Sequence, residues 1–528
     1  MWVAMENTEH IGKGGTDVYK RIWLLLIGCL LLALLAGGAT FAQELRTLTV
    51  GLPGTVHSLD PAAYRDRMTE GVVRAIFDGL VEWGFDMQPQ LEIAESWEWI
   101  DDMTLEYKIK TGITFHNGEP LTSEDVEFSL NRVITEGAMC GETSPRKGLV
   151  TNVESISCVD PYTVRLHLSM PSPTLPRMLS HQQIVPKDYL EEIMAREGGT
   201  CEEFREHPVG AGPFKFVEWK KGEYLVVDRY EGYYGGFPGN VDRIVFKIIP
   251  EEASRIAALK TGEIDIALDI SLSQVPVLEA DPNILVKSAM GTRGRMVEMN
   301  VTKPPFDDVR VRWAMNYAVD IQEIVDALYL GKGTVFAGPL LSADANLSPY
   351  LEPYGYDPDK ARDLLTEAGY PDGFPLIIDA VSPHIEWAQA VANYLRDVGI
   401  DASVRIWEYK IVKPELLAGN RQMFVRDWGC SGLDPVGYLD AKVVCGGRGN
   451  YSCYCNPKAD ALIELAAAET NPDIRKGIYW AVQEILYYDA PWVFGYSVDE
   501  VGACGSWVDG WEAHPISYLF LENVTLKD

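Results

Sequence analysis

Basic residues are scarce: 46 Lys and Arg stand against 77 Asp and Glu, a formal net charge of −31 over 528 residues. Such a chain repels a phosphate backbone, which argues against nucleic-acid binding. Long apolar runs are missing except one near the N-terminus, and the mean hydropathy is −0.06, so a polytopic membrane protein is excluded. There is no G-x-x-x-x-G-K-[ST], the nearest stretch being Gly331-Lys332-Gly333, and hence no phosphate-cradling loop for ATP hydrolysis. There is no H-E-x-x-H, and His57, His116, His167, His181, His207, His384 and His514 are scattered without metal-ligand spacing. Gly429-Cys430-Ser431-Gly432 has half of a nucleophile elbow, but Leu433 stands where G-x-S-x-G needs its last glycine. Repeats and low-complexity tracts are absent too.

The single apolar run, Ile22 to Ala36, follows Lys20 and Arg21 and leads to Thr40 and Ala42, small residues at −3 and −1 of a cut before Gln43. It is shorter than the ~20 residues that span a bilayer, so residues 1–42 read as a cleaved export signal and the mature protein is expected in the periplasm. An uncleaved anchor and lipid attachment at Cys29 are the other readings. Cys140, Cys158, Cys201, Cys430, Cys445, Cys453, Cys455 and Cys504 remain. An even count in an exported chain implies disulfides, and Cys445 with Cys453 or Cys455 would close a short loop. A lone C-x-C lacks the usual zinc spacing, so no metal and no cofactor are expected.

The first half is rich in strand patterns: 46–52, 104–110, 162–168, 213–219, 223–229 and 242–249 are alternating, β-branched or aromatic. A short helix carrying Ile256, Ala257 and Leu259 ends at Gly262, and IDIAL follows as a strand. The second half alternates helix and strand. Asp357-Pro358 opens a helix that Gly369 stops, strand 376–381 follows, a helix from Ile385 stops at Gly399, and strand 401–407 comes next. Asn456-Pro457 and Asn471-Pro472 each read as a helix cap with proline in the first turn. The acidic pairs Glu251-Glu252 and Asp307-Asp308 lie at helix starts, where acids suit the macrodipole. The pattern predicts two α/β lobes.

Several stretches then carry a resemblance: AESWEW (94–99), FHNGEPLTSEDVEFSLNRV (115–133), VGAGPFKFVEWKKGEYLVV (209–227), YEGYYGGFPGNVDRIVFKII (230–249), PEEASRIAALKTGEIDIA (250–267), MNVTKPPFDDVRVRWAMNYAVDIQEIV (299–325) and GYDPDKARDLLTEAGYPDGFPL (355–376). In this order they resemble the family 5 extracellular solute-binding proteins that serve ABC importers of peptides, opines, nickel chelates and some oligosaccharides. Each stretch also has a plain account as scaffold; Thr122 and Asp125, for instance, make a capping box.

The resemblance implies an α/β fold: a two-lobed periplasmic-binding-protein-like clamp (type II) with an extra subdomain. It places lobe I in 43–80, 206–292 and 498–528, the subdomain in 81–205, and lobe II in 293–497. It implies a non-enzymatic monomer that takes up a small polar solute (a peptide, an opine or an oligosaccharide) and docks on an ABC permease with its ATPase. In peptide-binding members the loop matching Asp427 to Asp434 carries a Trp and, three residues on, an Asp for the ligand's α-ammonium. Here Trp428 is present, followed by Gly429 and Cys430, but Ser431 replaces that Asp, and a hydroxyl cannot neutralise a desolvated cation. Asp434 matches the following D-P and either contacts ligand or caps a helix. Trp407, Tyr64, Arg67 and Tyr451 are expected in loops at or near the cleft. A sensor or chaperone, or a hydrolase built on the same clamp, are the alternatives.

Overall fold

The structure, a computed structural model, describes residues 45–196, 201–340, 346–382, 384–429 and 434–527. The export signal expected over 1–42, and the predicted site residues Cys430 and Ser431, lie outside the described residues. Local chemistry explains most helix starts. Asp357 accepts from Lys360 N at 2.9 Å ahead of helix Pro358–Glu367. Asn456 accepts from the amides of Lys458 and Ala459, and Asn471 from those of Asp473 and Ile474, each with proline next in the chain. Asp125 reaches back to Thr122 N at 2.9 Å, and Asp308 and Asp320 cap the two helices of 309–329. Helix Glu252–Thr261 ends where expected, on Gly262 at φ 71, but the alanine it buries is Ala258 rather than Ala257.

Three larger sheets, beside two of two strands each, organise the described chain. The first has seven strands in the order Ile284–Ala289, Glu500–Gly505, Ile266–Ala267, Thr47–Leu52, Arg243–Ile248, Tyr224–Arg229, Phe214–Lys220. Thr47–Leu52 runs parallel to both of its neighbours. The second has six strands: Gly333–Val335, Trp492–Val498, Arg293–Met299, Met423–Gly429, Pro375–Ala380, Asp401–Ile406. Its parallel part is built by the helix–strand alternation legible in the sequence. A four-stranded antiparallel sheet, Ala94–Asp101, Thr104–Ile109, Thr163–Leu168 and Val153–Asp160, packs helix Ser123–Ile134 over its own core.

Each sheet has a separate apolar core. Leu48, Val50, Phe77, Ile244 and Phe246 belong to the first, and Val297, Met315, Ile378, Trp387 and Val425 to the second. The chain leaves the first sheet after Ala289, enters the second at Arg293, and returns between Val498 and Glu500. The two crossings touch. A Cβ on Gly291 would lie 1.8 Å from the Val498 carbonyl oxygen, so only glycine lets the strands pass side by side there. Two cores joined by two adjacent strands give the described body its two-lobed, mixed α/β architecture, the clamp that the sequence led us to expect.

Candidate functional site

A cavity of about 260 Å³ opens between the two sheets, with walls from both. On the first-sheet side, Asp66 is extended (φ −122) and accepts from Thr69 N at 2.8 Å, capping the short helix Arg67–Val73. That cap fixes Arg65 and Arg67 on the cavity wall. Arg146 arrives from a loop tied down by Ser144, whose hydroxyl donates to Ala62 O at 2.6 Å. Arg146 Nε donates to Tyr64 O at 2.9 Å, and its guanidinium lies 4.5 Å over the Tyr64 ring.

Glu70 binds this wall together. It accepts from Tyr518 OH at 2.6 Å and His181 Nδ1 at 2.9 Å, and lies 3.3 Å from Arg146 Nη2. Burial opposes its charge, but Arg146 and His181 outweigh burial and hold the carboxyl well below the usual range. Arg146 Nη1 has no hydrogen-bond partner among the described residues, although Arg146 is only 1% exposed.

The second sheet contributes Arg293 and Gly429, which sit opposite one another in register at the strand ends. Arg293 Nε donates to Asp427 Oδ2 at 2.6 Å, and His384 Nε2 lies 3.2 Å from Asp427 Oδ1. Burial would raise the Asp427 carboxyl, yet these two partners keep it below the usual carboxylate range. Beside this cavity is a second, of about 300 Å³, which shares Arg67, Arg293 and Tyr518 and adds the apolar side chains of Met68, Leu268, Val501 and Trp511. Glu500 also lines it. Burial raises that carboxyl, with Arg67 opposing.

Of the residues expected at the cleft, Arg67 and Gly429 line the charged cavity. Tyr64 is 3% exposed and acts from beneath, as the ring under Arg146; burial pushes its hydroxyl far above the ordinary tyrosine value. Trp428 is half-buried behind Gly429, with Arg448 at 5.1 Å and Lys442 at 5.0 Å from its ring. Gly449 lies so close that a Cβ would come within 2.7 Å of the indole.

Three other predicted residues have their polar atoms occupied within the second lobe. Asp434 is 1% exposed, accepts from Val436 N at 3.0 Å as a helix cap, takes two bonds from Arg475 at 2.5 and 2.8 Å, and accepts from Tyr479 OH at 2.8 Å. Its geometry is that of the cap, with both oxygens bonded within the lobe. Tyr451 is 3% exposed and shares a 2.6 Å bond with Tyr409 OH. Trp407 Nε1 donates to Asp379 Oδ1 at 2.7 Å, and Arg421 lies 5.0 Å over its ring.

Sequence reasoning missed Arg65, Glu70, Arg146, His181, Arg293 and Tyr518. Only Arg65 lay beside residues already singled out; the others come together from segments up to 448 positions apart, as in the Tyr518–Glu70 bond, and no spacing rule reaches that far. The structure joins Cys140 to Cys201 and Cys445 to Cys455, and leaves Cys158, Cys453 and Cys504 free. Cys445, Cys455 and Asp460 are near enough to share an ion, but the two thiols are already spent on each other. No helix among the described residues is long and apolar enough to cross a membrane.

Comparison with known proteins agrees with this geometry. Residues 88–450 match the family model described as bacterial extracellular solute-binding proteins, family 5 middle. The chain is 26% identical over 523 residues to the glutathione-binding protein GsiB of Pectobacterium atrosepticum, covering 96% of this chain and 99% of that one. It is 28% identical over 448 residues to heme-binding protein A of Haemophilus influenzae, covering 79% and 81%. Among solved structures it superposes on HbpA2 from Haemophilus parasuis with a TM-score of 0.84 at 25% identity, covering 91% of this chain and 100% of that one. The unliganded open form of the periplasmic murein tripeptide binding protein MppA, at 20% identity and TM-score 0.81, shares the fold. With a two-lobed body, a cavity walled from both lobes and a family match over most of its length, the chain belongs to the bacterial extracellular solute-binding proteins of family 5, the binding components of ABC transporters.

Proposed function

We propose that this protein is exported to the periplasm, captures one small polar solute between its lobes, and delivers it unaltered to the permease of an ABC importer. The lobes would follow the boundaries read from the sequence, with 293–497 closing on the remainder. The single observation that carries the reading is the shared cavity, in which Arg67 from one lobe and Arg293 from the other face the same space. Closure is driven only by contacts that exist when both lobes touch the solute, and that arrangement supplies them.

A hydrolase on the same clamp needs a base facing a nucleophile. His181 is committed to Glu70. In the neighbouring cavity His514 is bonded through one nitrogen to Gly84 O and through the other to Ile516 N, so it does not serve Ser517. Carriage without chemistry is therefore the better reading. The test is thermal unfolding of the mature chain against glutathione, tripeptides, opines and malto-oligosaccharides. A true ligand at about 100 times its dissociation constant adds ~2.7 kcal/mol of stability. Failure of the whole panel to move the transition, or accumulation of a hydrolysis product, defeats the proposal.

A further inference from the structure

We infer that the solute is multiply anionic, presenting two or more carboxylate or phosphate groups to guanidinium groups from both lobes. The inference deepens the carrier reading and rests on it.

The net charge of the chain is −31, yet Arg65, Arg67, Arg146 and Arg293 all line one cavity of about 260 Å³. The acids on that wall are already engaged: Asp66 caps its helix, and Glu70 serves Arg146, His181 and Tyr518. Asp427 answers Arg293 from behind. Arg65 and Arg67 make no ion pair among the described residues, and Asp269 and Glu500 line the adjoining cavity, where Glu500 opposes the lowering of Arg67. A further cation, Arg448, acts on Arg65: burial, then Arg146 and Arg448, lower the Arg65 value.

The sharpest observation is Arg146 Nη1. It is a charged donor with no acceptor among the described residues, on a side chain only 1% exposed, in the wall of a cavity. A buried donor left without a partner is costly, and a shift of the guanidinium toward a solute oxygen would relieve that cost. Planar guanidinium forks match carboxylates and phosphates in two-point contact, which a neutral sugar or amide cannot reproduce. The adjoining cavity, where Met68, Leu268 and Trp511 stand beside Asp269 and Glu500, would take the remainder of the molecule.

Calorimetric titration of the full mature chain with four probes tests this: the peptide Glu-Ala-Glu with a free carboxyl end, its uncharged counterpart Gln-Ala-Gln amide, Lys-Ala-Lys amide, and pyrophosphate. We expect Glu-Ala-Glu, pyrophosphate or both to bind, which separates carboxylate from phosphate as the source of charge. Their affinity should fall about tenfold or more between about 20 mM and about 300 mM NaCl. Arg65→Gln and Arg67→Gln should each weaken the same probe about tenfold or more, while the melting transition without ligand stays in place. Equal binding of the uncharged or cationic peptide, or anion binding untouched by both substitutions, overturns the inference and leaves the carrier intact. Absence of binding by these probes together with the broader panel overturns the carrier reading, and the inference with it.

Discussion

Beneath Trp428 lies the ion pair Lys442–Glu298, whose side chains are 1% and 0% exposed. Lys442 also donates to Gly449 O at 2.7 Å, Glu298 accepts from Tyr451 N at 3.0 Å, and the ammonium lies 4.8 Å over the Tyr451 ring. Burial pushes the Glu298 carboxyl up and the Lys442 ammonium down, each opposed by the other's charge. Lys442→Met should strand the carboxylate and cost about 3–5 kcal/mol, because the loss is that of an uncompensated buried charge rather than the net worth of the pair. Glu298→Gln/Lys442→Met, which removes both charges, should recover most of that loss. The assay is urea unfolding of the ligand-free protein at pH 7, followed by tryptophan fluorescence. The single variant has a second signature. Its Glu298 is pushed further up, and an acid whose folded value is raised contributes stability at low pH that is lost as pH rises, so the deficit should shrink between pH 8 and pH 5. A Lys442→Met protein within about 1 kcal/mol of the parent, or a double variant no better than the single, refutes the reasoning.

Two further predictions use other buried charges. Asp434→Asn removes the counter-charge of Arg475 and should cost about 3–5 kcal/mol in the same urea assay while leaving solute affinity unchanged; loss of affinity with unchanged stability would return Asp434 to the ligand. Where the first lobe meets the extra subdomain, burial raises Asp78 and Glu522 to about 7 and Glu82 and Glu92 to about 8. Folded values above the unfolded ~4 mean stability present at low pH and lost as pH climbs through them. His116 and His514, lowered by burial to about 4, work in the opposite direction but only below about pH 6.5. The melting temperature should therefore fall from pH 6.5 to pH 8, and Asp78→Asn should flatten the slope; a rising melting temperature over that window contradicts the assignment.

Much of the fold was legible because its signals are local. Asp357-Pro358, Asn456-Pro457 and Asn471-Pro472 announce helix starts through an oxygen that accepts nearby amides and a proline that needs none. Alternation exposed Thr104–Ile109 and Thr163–Leu168, whose apolar residues are buried while Lys108, Arg165 and His167 on the other face reach solvent. The strands that make the cleft escaped notice. Arg293–Met299 is buried through its last residues and carries the cavity-lining Arg293 at the exposed end, and Trp492–Val498 is buried nearly throughout, so neither shows a two-residue period. The site was half legible. Arg67 and Gly429 came from a resemblance in their own segments, whereas Arg146, His181 and Tyr518 meet Glu70 only because three separate loops converge on it. Asp434 fits two roles in the sequence, and only its 1% exposure and its bonds to Arg475 and Tyr479 distinguish them.

The arginines that would grip an anion also bear on when the clamp closes. Arg67 and Arg293 belong to different lobes and line the same two cavities, so bringing the lobes together crowds like charges. The electrostatics already register it: burial lowers Arg67, Glu500 opposes, and Arg293 lowers it further. A bound anion would turn that repulsion into two attractions, one to each lobe, and a solute that holds both favours the form in which the lobes are together. Screening should then substitute in part for the solute. At about 0.1 M salt the Debye length is about 10 Å, and at about 1 M it is about 3 Å. The ligand-free protein should accordingly contract at high salt by X-ray scattering, and Arg67→Gln should contract at low salt without help. If the radius of gyration of both proteins ignores salt while a bound solute still shrinks the parent, closure owes nothing to the repulsion between these two arginines.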